Sequence, residues 1–231
     1  MRLDQAVAAR YPDISRRKAR ELIAAGRVLL NQRRVSVASR EVGDRDVVAV
    51  VEETPPINVI ASTDDWIAVD KAAGMPTQPE RGRQRLSLEE ALRVQHKNIW
   101  LVHRLDTPTS GVVIFARTQP AAATLSRLFR DGEIRKTYVA VCEPPLVREV
   151  TIESPIEGRA ALTIARPLSN GHVEVDLRTG RTHQIRIHMA SIEHPVKGDH
   201  RYGGAPAPRL MLHAWKLQHA SLGEIVAPIP F

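Results

Sequence analysis

Two consecutive prolines, Pro55 and Pro56, constrain how this chain folds more than any other feature of its sequence. Proline lacks the backbone N–H that a strand ladder needs, so a pair of prolines cannot extend a sheet. The two residues close a short polar stretch that is typical of a linker. We therefore predict three parts: a small module over residues 1–51, a linker over residues 52–57 and a larger body over residues 58–231.

The two larger parts differ in charge. The chain of 231 residues has a net charge of +7, of which residues 1–50 carry +5 and residues 51–231 only +2. A strongly basic segment favours binding to a polyanion, although charge alone does not name the polyanion. The uneven charge predicts a basic binding module that is attached to a body with another purpose.

The composition disfavours several protein classes. Cys142 is the only cysteine, which excludes a disulfide within the chain and a zinc site made of cysteines. No apolar stretch after Met1 suggests a signal peptide, and no apolar run approaches the roughly 18 residues of a membrane span. The nine aromatic residues are too few for a broad platform that stacks single-stranded bases. We expect a cytoplasmic protein without a membrane segment.

The first 51 residues are predicted to form two helices followed by short strands. Apolar spacing predicts helices over residues 3–10 and 16–25, with Ser15 as the N-cap of the second helix and Gly26 just beyond its end. The second helix carries four basic side chains, Arg16, Arg17, Lys18 and Arg20. Cations at a helix N-terminus oppose the helix dipole, which favours a functional reason for them.

The body shows strand-like and helix-like segments in an irregular order. The strand-like segments are near residues 58–61, 66–70, 111–116, 136–142, 172–177 and 212–217. The predicted helices cover residues 87–95, 120–130 and 182–192, and Ser87 with Glu90 forms a capping box for the first of them. Because strands and helices do not alternate regularly, we predict an α+β fold with a mixed or antiparallel sheet.

A polar loop with His103, Arg104 and Asp106 precedes the apolar strand predicted at residues 111–116. Loops at the ends of strands are common places for active sites. Asp106 there would act as a nucleophile, as a base or as the partner of an arginine, or it would only cap a turn. The residues alone leave these alternatives open.

Residues 178–188 form the most basic part of the body, with Arg178, Arg181, His183, Arg186 and His188. The two histidines lack the i, i+4 spacing of a helical metal site, and we predict no metal. A solvated basic turn is the alternative, but apolar residues alternate with the polar ones, so some arginines must point inward, where they need an anion. The residues alone leave the role of Lys71 open between a Schiff-base lysine, a phosphate contact and a surface ion-pair partner.

Taken in order, these segments resemble the motifs of the RluA-type pseudouridine synthases. The resemblance rests on residues 103–111, 136–140 and 178–188, with further matches at residues 71–76, 194–203 and 212–214. Residues 1–51 resemble the S-four (alpha-L) RNA-binding domain, through Arg2-Leu3-Asp4, Ser15-Arg16 and Gly26-Arg27-Val28. The resemblance implies a catalytic α+β domain with a mixed, mainly antiparallel sheet, preceded by a small alpha-L RNA-binding domain.

The resemblance also implies a reaction. Such an enzyme isomerises a uridine in structured RNA without a cofactor, after the base has left its stack. Asp106 would be the essential carboxylate, which either attacks the anomeric carbon of the ribose or abstracts a neighbouring proton. Arg186 would pair with Asp106 and keep it ionised. Tyr138 would lie near the flipped uracil, where it would help to remove the proton on carbon 5.

Further residues would bind the RNA without taking part in a chemical step. Arg104 would fill the space that the flipped base leaves. The others would make supporting or phosphate contacts: His103, Arg181 and His183 in the body, and Arg16, Arg17, Lys18 and Arg20 in the N-terminal module. We expect large-subunit ribosomal RNA as the substrate, with transfer RNA as an alternative, and a monomeric enzyme.

Two other functions fit part of the sequence. A non-catalytic RNA-binding or ribosome-assembly factor with this fold is expected to lose at least one of Asp106, Tyr138 and Arg186, and all three are present. A DNA-binding or membrane-surface protein would explain the basic N-terminus but not the motifs of the body. The segment of residues 149–172 is shorter than in the family, so we expect a trimmed sheet edge and an intact site.

Overall fold

The computed structural model describes residues 1–31, 33–50, 56–80, 86–96 and 98–231. Contacts between residues divide the chain into two compact units: the first is Met1–Ile57 with Met75–Ile99, and the second is Asn58–Gly74 with Trp100–Phe231. The division predicted from sequence differs from this one, because it assigns Met75–Ile99 to the body. Most of the linker predicted at residues 52–57 lies outside the described residues.

The described part of the first unit contains three helices and a small sheet. The helices are α1 (Leu3–Arg10), α2 (Arg16–Ala24) and α3 (Leu88–Gln95). The strands are β1 (Val28–Leu30), β2 (Arg33–Arg34) and β3 (Val48–Val50), and β1 pairs antiparallel with both of the others. A core that includes Leu3, Val7, Leu22, Ile23 and Val28 joins α1 and α2 to this sheet.

The helices of the first unit begin and end where the local sequence predicts. The Ser15 hydroxyl accepts a hydrogen bond from the N–H of Lys18 at 3.2 Å, and Ser87 and Glu90 form the capping box of α3. Gly26 follows α2 with a φ of +64°, a left-handed conformation that glycine adopts without strain. These contacts confirm the caps predicted from sequence.

The second unit is built on one large sheet. Its described strands are β4 (Asn58–Ser62), β5 (Trp66–Lys71), β6 (Trp100–Leu101), β7 (Ser110–Ala116), β8 (Arg135–Val141), β9 (Val150–Ile152), β10 (Thr163–Pro167), β11 (His172–Leu177), β12 (Leu212–His219) and β13 (Gly223–Val226). Their order is β4-β5-β7-β12-β8-β11-β10-β9, with β6 beside β7 and β13 beside β12. Among these pairings, β7 with β12 is parallel and the others are antiparallel. The sheet confirms the predicted α+β fold.

Two helices cover parts of this sheet. Helix α4 (Gln119–Arg130) packs Leu125 and Leu128 into a core with residues of β7, and α5 (Gln184–Ser191) packs Ile185 and Met189 into a second core with residues of β11 and β12. Helix α5 begins later than the predicted start at residue 182, because His183 has a φ of +56°. Among the described residues, no helix has the length and apolar character needed to cross a membrane.

A glycine fixes the position of the loop that precedes β7. A Cβ on Gly111 would lie 2.2 Å from the carbonyl oxygen of Ala214, far inside a normal contact distance. Gly111 also has a φ of +117°, which residues with a side chain rarely adopt. Only glycine therefore allows β7 and β12 to approach at their paired residues Gly111 and Ala214. This close pairing holds the Asp106 loop beside β12.

Candidate active site

A cavity of about 370 Å³ lies within the second unit. The loop before β7 contributes Asp106 to its lining, β8 contributes Tyr138, and the start of α5 with its preceding loop contributes Arg181, His183 and Arg186. The volume is near the lower end of the range of small-molecule sites, roughly 300 to 1,000 Å³. The structure thus brings together three segments that the sequence singled out separately.

Asp106 presents its carboxylate to two nitrogen-bearing side chains. The Nε2 atom of His183 lies 3.6 Å from Oδ2 of Asp106, and Nη1 of Arg186 lies 4.0 Å from the same oxygen. The side chain of Asp106 remains 23% exposed, so a ligand in the cavity can reach it. The guanidinium charge at this distance stabilises the negative charge of the carboxylate.

Arg186 has a different hydrogen-bond partner from the one expected. Its Nε and Nη2 donate to the two carboxylate oxygens of Asp199 at 2.6 and 2.7 Å, while the predicted pair with Asp106 is present as a longer ion pair through Nη1 at 4.0 Å. Asp199 is fully buried and also accepts from the backbone N–H groups of Arg201 and Tyr202. Arg186 is thereby held by one carboxylate and faces a second one.

The electrostatics of this pair keep both groups charged. Burial by itself lowers the pKa of Arg186, but the hydrogen bonds to Asp199 and the charges of Asp199 and Asp106 outweigh it and raise the pKa above its ordinary value. Burial by itself raises the pKa of Asp199, and the bonds from Arg186 outweigh it, so this pKa is lowered. Arg186 is therefore a permanent cation next to Asp106.

His183 connects Asp106 to Tyr202. Its Nδ1 lies 2.9 Å from the Tyr202 hydroxyl oxygen, while its Nε2 faces Asp106. The left-handed backbone of His183, uncommon for a residue with a side chain, gives the ring this position just before α5. Burial, helped by the charges of Arg186 and Arg201, lowers the pKa of His183 against the opposing effect of Asp106. The ring is thus neutral at physiological pH.

Tyr138 and Lys136 project from the same face of β8 into the cavity. Burial, together with the charge of Asp106, raises the pKa of Tyr138 above its usual range, so the phenol keeps its proton. Burial lowers the pKa of Lys136. A neutral phenol ring supplies a flat face and one hydroxyl group to a bound base.

Comparison with known proteins identifies the family. Residues 65–191, more than half of the chain, match the family model of RNA pseudouridylate synthases, and residues 1–48 match the S4 domain. This chain belongs to the RNA pseudouridylate synthase family. The match confirms the family, the N-terminal RNA-binding domain and the enzyme class predicted from the motifs.

Individual proteins show the same relationship. Ribosomal large subunit pseudouridine synthase D of Haemophilus influenzae is 31% identical over 99% of this chain and 88% of its own length. An uncharacterized RNA pseudouridine synthase of Aquifex aeolicus is 33% identical over 87% of this chain and 77% of its own length. The structure of human RNA pseudouridylate synthase domain containing 1 is 26% identical with a TM-score of 0.65, and covers 76% of this chain and 84% of that one.

Three of the residues predicted to bind RNA line the cavity but make different contacts. His103 accepts a hydrogen bond at Nε2 from the N–H of Ile114 at 2.9 Å and stacks on Phe129 at 4.0 Å. Burial and the charge of Lys136 lower the pKa of His103 to about 3, so a contact with RNA would use a neutral ring. Arg104 is exposed and lines the cavity, and Arg181 donates through Nε to the carbonyl of Ala160 at 3.0 Å.

Lys71 supports the Asp106 loop from the interior. Its side chain is fully buried, so the interpretation as a surface ion-pair partner is wrong. The ammonium donates to the carbonyl oxygens of Ala72 at 3.1 Å and Thr107 at 3.2 Å. Burial lowers the pKa of Lys71 to about 7, although the charge of Asp106 opposes this change. Lys71 therefore fixes the backbone next to Asp106.

The basic residues predicted to bind RNA in the first unit lie on the S4 domain. Arg16, Arg17, Lys18 and Arg20 are exposed on α2. Lys18 pairs with Glu21 at 3.5 Å. Among the described residues, no cluster of histidine, cysteine or acidic side chains has a geometry suited to a metal ion.

Sequence reasoning left the role of Lys71 open and assigned no site role to three other residues found here: Lys136, Asp199 and Tyr202. A signal for these three was present, since residues 136–140 and 194–203 match motifs of the family. That motif does not reveal that Asp199, rather than Asp106, takes the guanidinium of Arg186. The signal for Lys136 was its position two residues before Tyr138 on one strand.

Proposed function

We propose that this synthase converts specific uridines of large-subunit ribosomal RNA to pseudouridine. The observation that carries the proposal is the convergence of Asp106, Tyr138 and Arg186 on one cavity of about 370 Å³. The substrate is supported by several relatives whose names specify the ribosomal large subunit. The N-terminal S4 domain, with its basic helix, supports binding to structured RNA.

The reaction rearranges bonds within one nucleotide. The bond between N1 of uracil and C1′ of the ribose breaks, the base turns, and a new bond joins C5 to C1′. The proton on C5 leaves, and N1 ends with a proton. Substrate and product are isomers, so the reaction consumes no co-substrate.

Asp106 acts as an anion in either form of this reaction. Attack on C1′ needs its oxygen lone pair, and removal of a neighbouring ribose proton needs its basicity. Arg186 supports the anion because Asp199 holds it beside Asp106 as a cation. His183 borders the same oxygen as a neutral ring, so Arg186 is the charged neighbour on that side of Asp106.

The remaining residues of the cavity receive the base. A uridine must leave its stack before its glycosidic bond is accessible. Tyr138 offers a protonated phenol against the uracil, and the exposed Arg104 is available to fill the gap in the RNA. We further propose that the enzyme acts as a monomer in the cytoplasm. Gel filtration with and without RNA tests the oligomeric state, and cell fractionation tests the location.

The substitution Asp106→Asn tests the reaction. Pseudouridines are mapped in total RNA from cells that lack the gene and carry either the wild-type or the variant copy. We expect the wild type to restore modification in large-subunit ribosomal RNA and the variant to restore none, with a rate loss of at least about 10³-fold. RNA affinity should remain within about twofold, because the S4 domain is unchanged.

The exposed Asp131 supplies a matched control, since Asp131→Asn makes the same chemical change outside the cavity and should behave as wild type. Modification by Asp106→Asn at the wild-type rate would contradict the assigned carboxylate. A restored site in transfer RNA instead of ribosomal RNA would contradict the substrate and leave the reaction in place.

A further inference from the structure

A fully buried carboxylate lies beneath the basic surface of the S4 domain. Asp4, in the first turn of α1, has no exposed side-chain surface. It accepts hydrogen bonds from Arg2 at 3.2 Å, Arg16 at 3.0 Å and Arg20 at 2.8 Å. Arg16 and Arg20 are one helical turn apart on α2, so both face α1. Two of the four arginine and lysine residues predicted to bind RNA are therefore fixed by one carboxylate.

All three arginines use the same nitrogen. Each hydrogen bond to Asp4 comes from Nε, so the two Nη groups of each guanidinium keep their N–H donors for another ligand. Their side chains are 45%, 44% and 53% exposed for Arg2, Arg16 and Arg20. Within the described residues, these Nη groups have no hydrogen-bond partner in the protein.

A second buried carboxylate shows that this arrangement is not automatic. Asp176, in the second unit, takes both Nε and Nη2 of Arg135, and it also takes Nη1 of Arg166. At Arg135 the carboxylate thus occupies the Nε–Nη2 edge of the guanidinium, where two N–H groups bind a carboxylate or a phosphate together. At Asp4 the bonds come from Nε alone, so the other edge of Arg16 and Arg20, formed by Nη1 and Nη2, stays available for two N–H donors to a phosphate.

The charge balance also favours an anionic ligand. Three cations surround one anion, which leaves an excess of two positive charges. One of the three, Arg16, also lies in the first turn of α2, where the helix dipole disfavours cations. Burial by itself raises the pKa of Asp4, but the bonds from Arg20, Arg16 and Arg2 outweigh it and hold the pKa well below its usual range. Asp4 thus stays ionised and keeps the arginines in place.

We propose that Asp4 is a positioning residue for RNA binding, which holds Arg16 and Arg20, with Arg2, so that their Nη groups meet phosphate oxygens of the RNA backbone. A long cationic side chain normally loses rotamer freedom when it binds, and the bond to Asp4 removes that freedom in advance. The inference rests on the proposed function, because it needs RNA as the ligand.

The substitution Asp4→Asn separates positioning from simple charge. It raises the net charge from +7 to +8, so charge alone predicts tighter binding to RNA. Positioning predicts the opposite result: weaker binding, by about fivefold for each phosphate that the arginines no longer bind, and a shallower salt dependence. The measurement is filter binding of the full chain to a transcript of large-subunit ribosomal RNA, between about 50 and 200 mM salt.

Asp13→Asn is the matched control, because Asp13 is exposed in the same domain and its substitution changes the charge equally. It should bind as tightly as wild type or slightly more tightly. Asp4→Asn binding that equals or exceeds the Asp13→Asn value would overturn the inference. Far-ultraviolet circular dichroism of both variants verifies that the domain is folded.

Charge-conserving variants decide the case if Asp4→Asn does not fold. Arg16→Lys and Arg20→Lys keep the positive charge. A lysine that bonds to Asp4, however, does not also present two further N–H groups in one plane, as arginine does. They should weaken binding more than Arg17→Lys, whose arginine is not among the three that Asp4 holds. Equal affinities of the three variants would overturn the inference. If RNA binding depends on Asp4 but the enzyme forms no pseudouridine, the inference stands and only the proposed function is contradicted.

Discussion

Arginine and carboxylate meet in both units of this protein, with opposite results. In the second unit, buried Asp199 takes Nε and Nη2 of a single arginine, Arg186, which is itself almost fully buried. In the first unit, buried Asp4 takes only Nε from each of three arginines, and their side chains stay half exposed. Asp199 directs a cation at Asp106, the proposed catalytic carboxylate, and Asp4 directs cations at the solvent.

The difference shows what decides the use of an arginine. A carboxylate that takes the bidentate face and shares the burial makes the pair part of the interior, where each ion depends on the other for its stability. A carboxylate that takes only Nε fixes the orientation and leaves the guanidinium hydrated. The first arrangement suits a group that must act on one atom, and the second suits binding to a flexible polyanion.

The largest expected effect comes from breaking the interior pair. Asp199→Ala leaves the buried charge of Arg186 without its partner, so we expect a loss of about 3 to 5 kcal/mol in the free energy of unfolding. Urea unfolding followed by tryptophan fluorescence measures it, because Trp66, Trp100 and Trp215 all belong to the second unit.

The corresponding substitution in the first unit supplies the contrast. Asp4→Ala removes the partner of arginines that water already reaches, so we expect a smaller loss in the free energy of unfolding than for Asp199→Ala. Urea unfolding followed by circular dichroism measures this loss. Equal losses for the two substitutions would break the comparison, because they would mean that exposure of the arginine does not matter.

The next effect concerns chemistry rather than stability. Lys71→Met removes the ammonium that holds the Thr107 carbonyl, and a displacement of the adjacent Asp106 by about 1 Å costs about 10²-fold in rate. We expect this loss in single-turnover kcat with unchanged RNA affinity, whereas Asp4→Asn should change affinity and spare kcat. Single-turnover assays and filter binding on the same preparations measure both quantities.

Lys197 provides the control lysine for this experiment. It forms an ion pair with Glu143 in which both side chains are at least one-third exposed, so Lys197→Met should leave kcat near the wild-type value. A Lys71→Met enzyme that lost affinity but kept its kcat would contradict the assignment of interior charges to catalysis.

Much of this arrangement could be predicted from the sequence. Apolar spacing and capping residues located α1, α2, α3 and α4, and family motifs brought Asp106, Tyr138 and Arg186 to one site. These signals are local, or they are short runs that occur in a fixed order along the chain. The predicted roles of the site residues and the predicted domain boundaries stay predictions.

Other features depend on contacts that the sequence pattern does not encode. Strands β9, β10 and β13 were not predicted. Each has only three to five residues, too few to show periodicity, and β10 and β13 also contain a charged residue. The choice of Asp199 by Arg186 also lacked a signal, since it depends on how the chain returns after α5. The neutral state of His103 follows from burial against Phe129, which only the folded chain creates.

The smallest expected effect is the pH dependence of stability that His103 causes. The pKa of His103 falls from an unfolded value of about 6.5 to about 3 in the folded protein. As pH decreases below about 6.5, the unfolded state therefore binds a proton that the folded state refuses. Stability is complete above this pH and decreases below it, by at most about 1.4 kcal/mol per pH unit.

His103→Gln should flatten this dependence between pH 7 and 5, since glutamine still offers an oxygen to the N–H of Ile114 and does not titrate. Urea unfolding followed by tryptophan fluorescence at intermediate steps of pH measures the slope, and His200→Gln, at an exposed histidine of the same unit, is the control. Equal slopes for wild type and His103→Gln would contradict the neutral buried ring. Asp4 contributes little in this range, because the stabilisation from its lowered pKa is fully present above the ordinary pKa of a carboxyl group, about 4, and is lost only as the pH falls through and below that value. We therefore expect sensitivity to mild acid in the second unit, which contains His103, and an intact arginine cluster around Asp4 in the S4 domain over this pH range.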